Sequence, residues 1–250
     1  ALLSVSSNHW NALCKHTGFL MPRGSRQSHP GDKLHKLGRA LKARDPEGMY
    51  RALVSSWDWP ESVALGSSEP GTILTDRSQW IATEITEKMM FLDTLSYLPD
   101  DILAKTDRAS MGVSLEVRVP FLDHRLVEFA WRLPLEMKIR RGSGKWLLRQ
   151  VLDRYVPRNL VDRPKIGFGV PVYNWLRGPL RDWAEDLLDA GRLRREGFFN
   201  PEPVRRKWRE HLSGKHNWMD SLWSVLMFQA WLANEKSAPV FSAEAQYAPL

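Results

Sequence analysis

Cysteine is almost absent from the sequence, and Cys14 is its single representative. One thiol excludes an intrachain disulfide framework and argues against a structural zinc site, and it fits a reducing, cytoplasmic setting. No stretch approaches the roughly 20 apolar residues that cross a bilayer. The first residues also lack the charged, apolar and small-residue zones of an export signal, so no membrane partner is expected. The chain opens on Ala1 rather than Met, which is compatible with processing or with a fragment. There is no internal repeat, no His–Glu–His metal spacing, no Gly-x-Ser-x-Gly elbow and no matched Ser/His/Asp set, and no metal ligands are expected. His124, His211 and His216 have no evident partners and read as surface or capping residues. Gly142-Ser143-Gly144-Lys145 lacks the first glycine and the following Ser or Thr of a phosphate loop, and is not read as one.

What is present is an ordinary globular composition: 250 residues, 43% hydrophobic and 26% charged. That length can bury a sizeable core. The net charge of +7 suits an anionic partner such as ATP, pyrophosphate, nucleic acid or a membrane surface. A nucleic-acid interface gathers its Lys and Arg and interleaves exposed aromatics. Here the tightest cluster, Arg192 to Arg195 with Arg205 to Arg209, is broken by acids and prolines, so no nucleic-acid partner is expected.

Residues 1–31 are rich in Ser, His, Asn, Gly and Pro without a sustained period, and read as irregular chain. From Asp32, a plausible cap, Leu34, Leu37 and Leu41 recur at helical spacing, and Pro46 opens a second short helix through Met49, Leu53 and Trp57. Trp80, Ile81, Ile85, Met89, Leu92 and Leu95 predict one long amphipathic helix from Asp76 to Leu98, ended by Pro99, with Asp100 capping the next. Asp123 is expected to cap a helix carrying Leu126, Val127, Phe129 and Ala130, and Ser143 one carrying Trp146 to Tyr155. Further helices are expected at 172–176, 180–189, 203–211 and 219–233, followed by a disordered tail at 236–250. The chain therefore reads as mainly α.

Three blocks carry chemistry. In Tyr97 to Met111, Lys105 and Arg108 lie three apart and share a helix face, with Asp101 placed to pair with Lys105; the alternative is a solvated face of i,i+4 pairs. In Ser114 to Asp123, alternation puts Glu116 and Arg118 on one side of an extended segment walled by Leu115, Val117 and Val119. This predicts a partly buried ion pair, either structural or facing a substrate. In Val161 to Pro171, Gly167 and Gly169 flank Phe168, which lets the backbone approach a ligand or the loop close over one. Lys165 at its mouth suits negative charge that develops on phosphate, or is simply exposed.

Together these blocks resemble the asparagine synthetase family. The resemblance runs through Tyr97-Leu98-Pro99-Asp100-Asp101, Lys105-Thr106-Asp107-Arg108-Ala109-Ser110-Met111, Ser114-Leu115-Glu116-Val117-Arg118-Val119-Pro120-Phe121-Leu122-Asp123, Gly144-Lys145 and Lys165-Ile166-Gly167-Phe168. It implies the helical C-terminal part of an α/β pyrophosphate-loop synthetase domain, of the adenine nucleotide alpha hydrolase kind, at 32–235. It implies that aspartate attacks the α-phosphorus of Mg-ATP to give β-aspartyl-AMP, and that ammonia derived from glutamine then displaces AMP. Lys165 matches a lysine that stabilises adenylation, and Lys105, Asp107, Arg108, Glu116, Arg118, Gly167 and Gly169 match positions that shape the cleft. The family's Ser-Gly-Gly-x-Asp-Ser and Gly-x-Gly-x-Asp-Glu motifs do not occur, and Cys14 does not match the glutaminase nucleophile. ATP and Mg2+ would then depend on glutaminase and nucleotide-binding segments outside this sequence, and the isolated chain is expected to be inactive. The open alternatives are a related synthetase acting on another carboxylate, in polysaccharide or natural-product assembly, and a catalytically dead helical interaction module.

Overall fold

The computed structural model describes residues 5–17, 30–81, 84–162 and 170–237. In chain order the elements are α1 (Ser7–Thr17), α2 (Pro30–Ala40), α3 (Pro46–Val54), α4 (Ile85–Leu95), α5 (Ala104–Met111), α6 (His124–Arg132), α7 (Leu135–Lys138), β1 (Ile139–Arg140), β2 (Ser143–Gly144), α8 (Trp146–Leu152), α9 (Arg158–Val161), α10 (Val172–Trp175), α11 (Arg181–Leu187), α12 (Ala190–Glu196), α13 (Pro201–Leu212) and α14 (Met219–Ser237). The mainly α expectation holds. The chain divides into two units: Ala1–Pro70 with Gly169–Leu250, and Gly71–Phe168.

The first unit holds a packed core. Apolar residues surround α14 rather than lining one stripe, the pattern of a helix enclosed by neighbours. Leu222, Val225 and Leu226 of α14 meet Leu176, Ala184, Leu187, Leu188, Leu193, Val204 and Trp208 in one cluster with Val63. Val63 reaches it because Leu65 N–H donates to Phe198 O and Asn200 N–H donates to Val63 O, both at 2.8 Å. Two ionisable groups lie inside. Lys207 Nζ sits 3.8 Å from the Trp57 ring centre and 4.1 Å from that of Trp218, and donates to Ser221 Oγ at 2.9 Å. Burial pushes its ammonium down to about 8. His211, expected at the surface or in a cap, is fully buried. Its Nδ1 accepts from Trp218 N–H and its Nε2–H donates to Tyr173 O, which fixes a neutral tautomer, and burial followed by the Arg177 charge pushes it down to about 4.

The stretch expected to be irregular contains α1. This helix is held by contacts distant in sequence, which local periodicity cannot reveal: Ser7 N–H donates to Lys215 O at 3.0 Å, and Asp32 accepts from Ser7 Oγ at 2.6 Å and from Asn217 Nδ2 at 2.8 Å. Asp32 is thus a bridge within α2 rather than its cap. His35 Nε2–H donates to Val5 O at 2.7 Å, leaving its Nδ1 to accept from His216 Nδ1–H at 2.8 Å. Gly31 permits the approach, since a Cβ there would lie 2.2 Å from Ser7 O. In α12, Asp189 caps the start through Arg192 N–H and Gly197 closes the end at φ 76°. The tail expected from 236 overlaps the last turn of α14, which reaches Ser237; residues 238–250 lie outside the described residues.

The second unit is built from shorter pieces. The long helix expected over 76–98 is confined to Ile85–Leu95. Asp76 instead accepts from Ser78 N–H, Ser78 Oγ and Gln79 Nε2, which closes a single 3₁₀ turn at Arg77–Gln79. Pro99 and Asp100 lie within a π-helical turn, Leu98–Leu103, that runs straight into α5, so Asp100 caps nothing. Pro99 occupies its first turn, where a missing N–H costs little. Asp123 caps α6 through Arg125 N–H as expected. Ser143 does not cap α8: it pairs with Arg140 in a two-stranded hairpin, and Lys145 precedes the helix with φ 57°.

Candidate functional site

The second unit brings two of the sequence blocks to one hollow. Leu103, the N-cap of α5, and residues 106, 107 and 110 within it share a face by helical spacing. Gly112 N–H closes the helix onto Arg108 O and Ser110 O, Ser114 takes a left-handed φ of 59°, and Leu115 N–H donates to Ser110 O at 2.9 Å. This reversal returns Glu116–Val119 alongside α5. A non-glycine residue in that region costs about 1–2 kcal/mol. The result is a hollow of about 660 Å³ lined by Thr106, Asp107 and Ser110 on one side and Glu116, Arg118 and Asp123 on the other.

Its polar groups are of mixed sign. Arg118 Nη2 lies 2.5 Å from Glu116 Oε1. The pair was expected to be partly buried, but its side chains are 84% and 68% exposed, and Leu115, Val117 and Val119 are exposed as well. Residues 114–119 are exposed throughout, so among the described residues nothing in this unit covers the segment. Asp123 is engaged by Arg125, whose side chain and backbone N–H hold its carboxyl below the usual range. Thr106 and Ser110 turn their hydroxyls onto Ile102 O and Asp107 O. A guanidinium beside several carboxylates can orient a zwitterion, drawing its carboxylate to Arg118 and its ammonium to the acids.

Of the site residues named from sequence, Asp107, Glu116 and Arg118 meet in this hollow. Lys105 and Arg108 belong to α5 but do not line it. Lys165, Gly167 and Gly169 lie outside the described residues. Thr106, Ser110 and Asp123 were not singled out, although the 103, 106, 107, 110 spacing marks the first two. A second hollow of about 460 Å³ in the same unit is lined by Lys145, Arg149, Asp153, Arg158 and Asp162. Here Arg158 pairs with Asp153 at 2.6 Å and Arg149 lies 3.9 Å from Asp162. Among the described residues no three His, Cys, Asp or Glu side chains converge to hold a metal ion.

The Asparagine synthase family model matches residues 3–233. The chain belongs to the asparagine synthase family. It is 32% identical over 144 residues to asparagine synthetase [glutamine-hydrolyzing] 1 of Bacillus subtilis, covering 58% of this chain and 22% of that protein. It is 42% identical over 78 residues to asparagine synthetase [glutamine-hydrolyzing] 3 of the same organism, covering 31% and 13%. To the human asparagine synthetase [glutamine-hydrolyzing] it is 28% identical over 138 residues, covering 49% and 24%. The chain thus spans about a quarter or less of the asparagine synthases it matches. No solved structure matches it. The family match takes in α1, which the sequence reading left unassigned. Among the described residues no helix is long and apolar enough to cross a membrane.

Proposed function

We propose that this chain is the helical, substrate-facing part of a glutamine-dependent asparagine synthetase of the pyrophosphate-loop type. In this reaction the aspartate side-chain carboxylate attacks the α-phosphorus of ATP, the α–β phosphoanhydride bond breaks, and pyrophosphate leaves. Ammonia derived from glutamine then attacks the β-carbonyl carbon of β-aspartyl-AMP, and the C–O bond to AMP breaks as asparagine forms. The observation that carries the reading is the hollow that gathers Asp107, Glu116 and Arg118 from two separate blocks. Arg118 would bind the aspartate α-carboxylate, and Asp107 with Glu116 its ammonium, leaving the side-chain carboxylate free to react. Lys165 would stabilise charge developing on the phosphates. Lys105, Arg108, Gly167 and Gly169 would shape the cleft.

Magnesium enters with ATP, but the described acids do not form a site for it. No step is assigned to it on this chain. Nucleotide anchoring falls to the Ser-Gly-Gly-x-Asp-Ser and Gly-x-Gly-x-Asp-Glu segments of the family, which this sequence lacks, and glutamine hydrolysis to a glutaminase segment. The reading also places the protein in the cytoplasm.

The isolated chain is expected to release no AMP from ATP and aspartate. Completed by the remaining portion of a relative, it is expected to do so, with Arg118→Ala raising the aspartate KM at least about tenfold while leaving the ATP KM unchanged. AMP release by the isolated chain above a Lys165→Ala control, or an unchanged aspartate KM in the completed Arg118→Ala enzyme, would overturn the proposal.

A further inference from the structure

The first unit holds a hollow of its own, of about 410 Å³, a size suited to a small molecule. Lys36 and Arg39 enter it from α2, Asp220 from the first turn of α14, and Val54, Val172 and Trp223 give it an apolar wall. Lys36 and Arg39 stand three apart and so share one face of their helix. Arg39 is half-buried, and its guanidinium lies 5.2 Å from the centre of the Trp218 ring, against which Lys207 Nζ also rests at 4.1 Å. Stacking orients a guanidinium but leaves its in-plane donors open. Other half-buried arginines of this unit use theirs on acids: Arg192 meets Asp186 at 2.9 Å and Arg205 meets Glu185 at 2.5 Å. Among the described residues no carboxylate lies within ion-pair distance of Lys36, Arg39 or Lys207, no acceptor meets the Arg39 N–H groups, and no donor meets the Asp220 carboxylate.

We propose that this hollow binds a free α-amino acid with an apolar side chain. Its charges are sorted as that ligand requires. Lys36 and Arg39, on one helix face, receive a single carboxylate together, Arg39 through paired N–H···O bonds. Asp220, from a different helix, receives the ammonium. A simple anion such as phosphate would instead be repelled by Asp220 and leave it unpaired. Val54, Val172 and Trp223 receive an uncharged side chain, because a second carboxylate against that wall would lose its hydration without gaining a partner. The Lys207 ammonium on Trp218 adds to the positive field that draws the carboxylate in. Every one of these residues belongs to the first unit, so the proposal rests neither on the hollow of the second unit nor on the reaction assigned to it.

Titration calorimetry of the full chain with L-leucine is expected to show saturable binding with a Kd of about 1 mM or tighter. Three relatives of the probe separate its parts: 4-methylpentanoate keeps the carboxylate without the ammonium, 3-methylbutylamine keeps the ammonium without the carboxylate, and L-aspartate carries a second charge. Each should bind at least about tenfold more weakly. Asp220→Asn and Arg39→Gln should each weaken L-leucine by at least about tenfold, whereas Arg118→Ala, in the second unit, should leave it unchanged. Asp220 is exposed and asparagine keeps its shape, so circular dichroism and thermal unfolding of that variant should match wild type, and its result stands whatever Arg39→Gln does to the fold. Absence of saturable L-leucine binding, equal binding of any of the three relatives, displacement of L-leucine by an equal concentration of inorganic phosphate, or a Kd untouched by Asp220→Asn would each overturn the proposal. Loss of binding in Arg118→Ala alone would place the amino acid in the second unit and overturn it as well. A completed enzyme that releases no AMP while its Asp220-dependent L-leucine binding persists would refute the functional reading and leave this site standing.

Discussion

At the scale of single residues, two buried bases make stability depend on pH in opposite regions. His211 is held neutral and pushed down to about 4, so between that value and its usual 6.5 the unfolded chain binds a proton that the folded one refuses. Stability is full above about 6.5 and falls as pH drops towards 4, by roughly 3 kcal/mol at most. Urea midpoints across that range should show the slope in wild type. In His211→Gln, whose amide can still accept from Trp218 N–H and donate to Tyr173 O, the slope should be shallower, the remainder including His216, which burial and the His35 charge also push down, even though the midpoint at neutral pH is lower. Lys207, pushed down to about 8, acts in the same sense at the alkaline end: the folded protein sheds its proton before the unfolded one, so stability rises from about 8 towards 10.5. Lys207→Met should abolish that rise. Neither group was legible in the sequence. A lysine and a histidine on a helix read as solvated, and only the Trp57 and Trp218 rings, brought from either end of the unit, enclose the ammonium.

At the scale of elements, caps and turns decide where helices start and stop. Asp123 and Pro46 acted as their residue types suggest, and α12 was equally marked by Asp189 and Gly197, though it passed unnoticed between two apolar patterns. Asp76 and Ser143 misled because each has a nearer use for its backbone or side chain, a 3₁₀ turn in one case and a hairpin rung in the other. That hairpin turns through Arg141 and Gly142 at φ 50° and 75°, the geometry that favours Asn-Gly. Arg141→Asn should therefore raise stability by roughly 0.5 kcal/mol, visible as a higher melting temperature. The helix α1 depends on a close approach rather than on propensity. Gly31→Ala places a methyl against Ser7 O and should cost about 1–3 kcal/mol. Hydrogen exchange should then accelerate in α1 while α14 stays protected.

At the scale of the molecule, the two units differ in what holds them. The first has a continuous apolar cluster, whereas the described part of the second buries Leu92 alone. Exchange in the isolated chain should be fast through 85–161 and slow through 204–226, and urea should unfold the second unit first. The sequence blocks identified the family and three residues that share a hollow. They could not show that the Glu116–Arg118 pair is open, because alternation specifies two faces and not what covers them. The interleaving of the first unit bears also on its synthesis. The Trp57 indole donates to Ser221 O across 164 residues, and Asn200 Nδ2 reaches Ser62 O across 138. On the ribosome Trp57 must wait until α14 has emerged before this contact can form. Nascent chains arrested before about residue 220 should thus keep the first unit open, with the Trp57 indole unprotected.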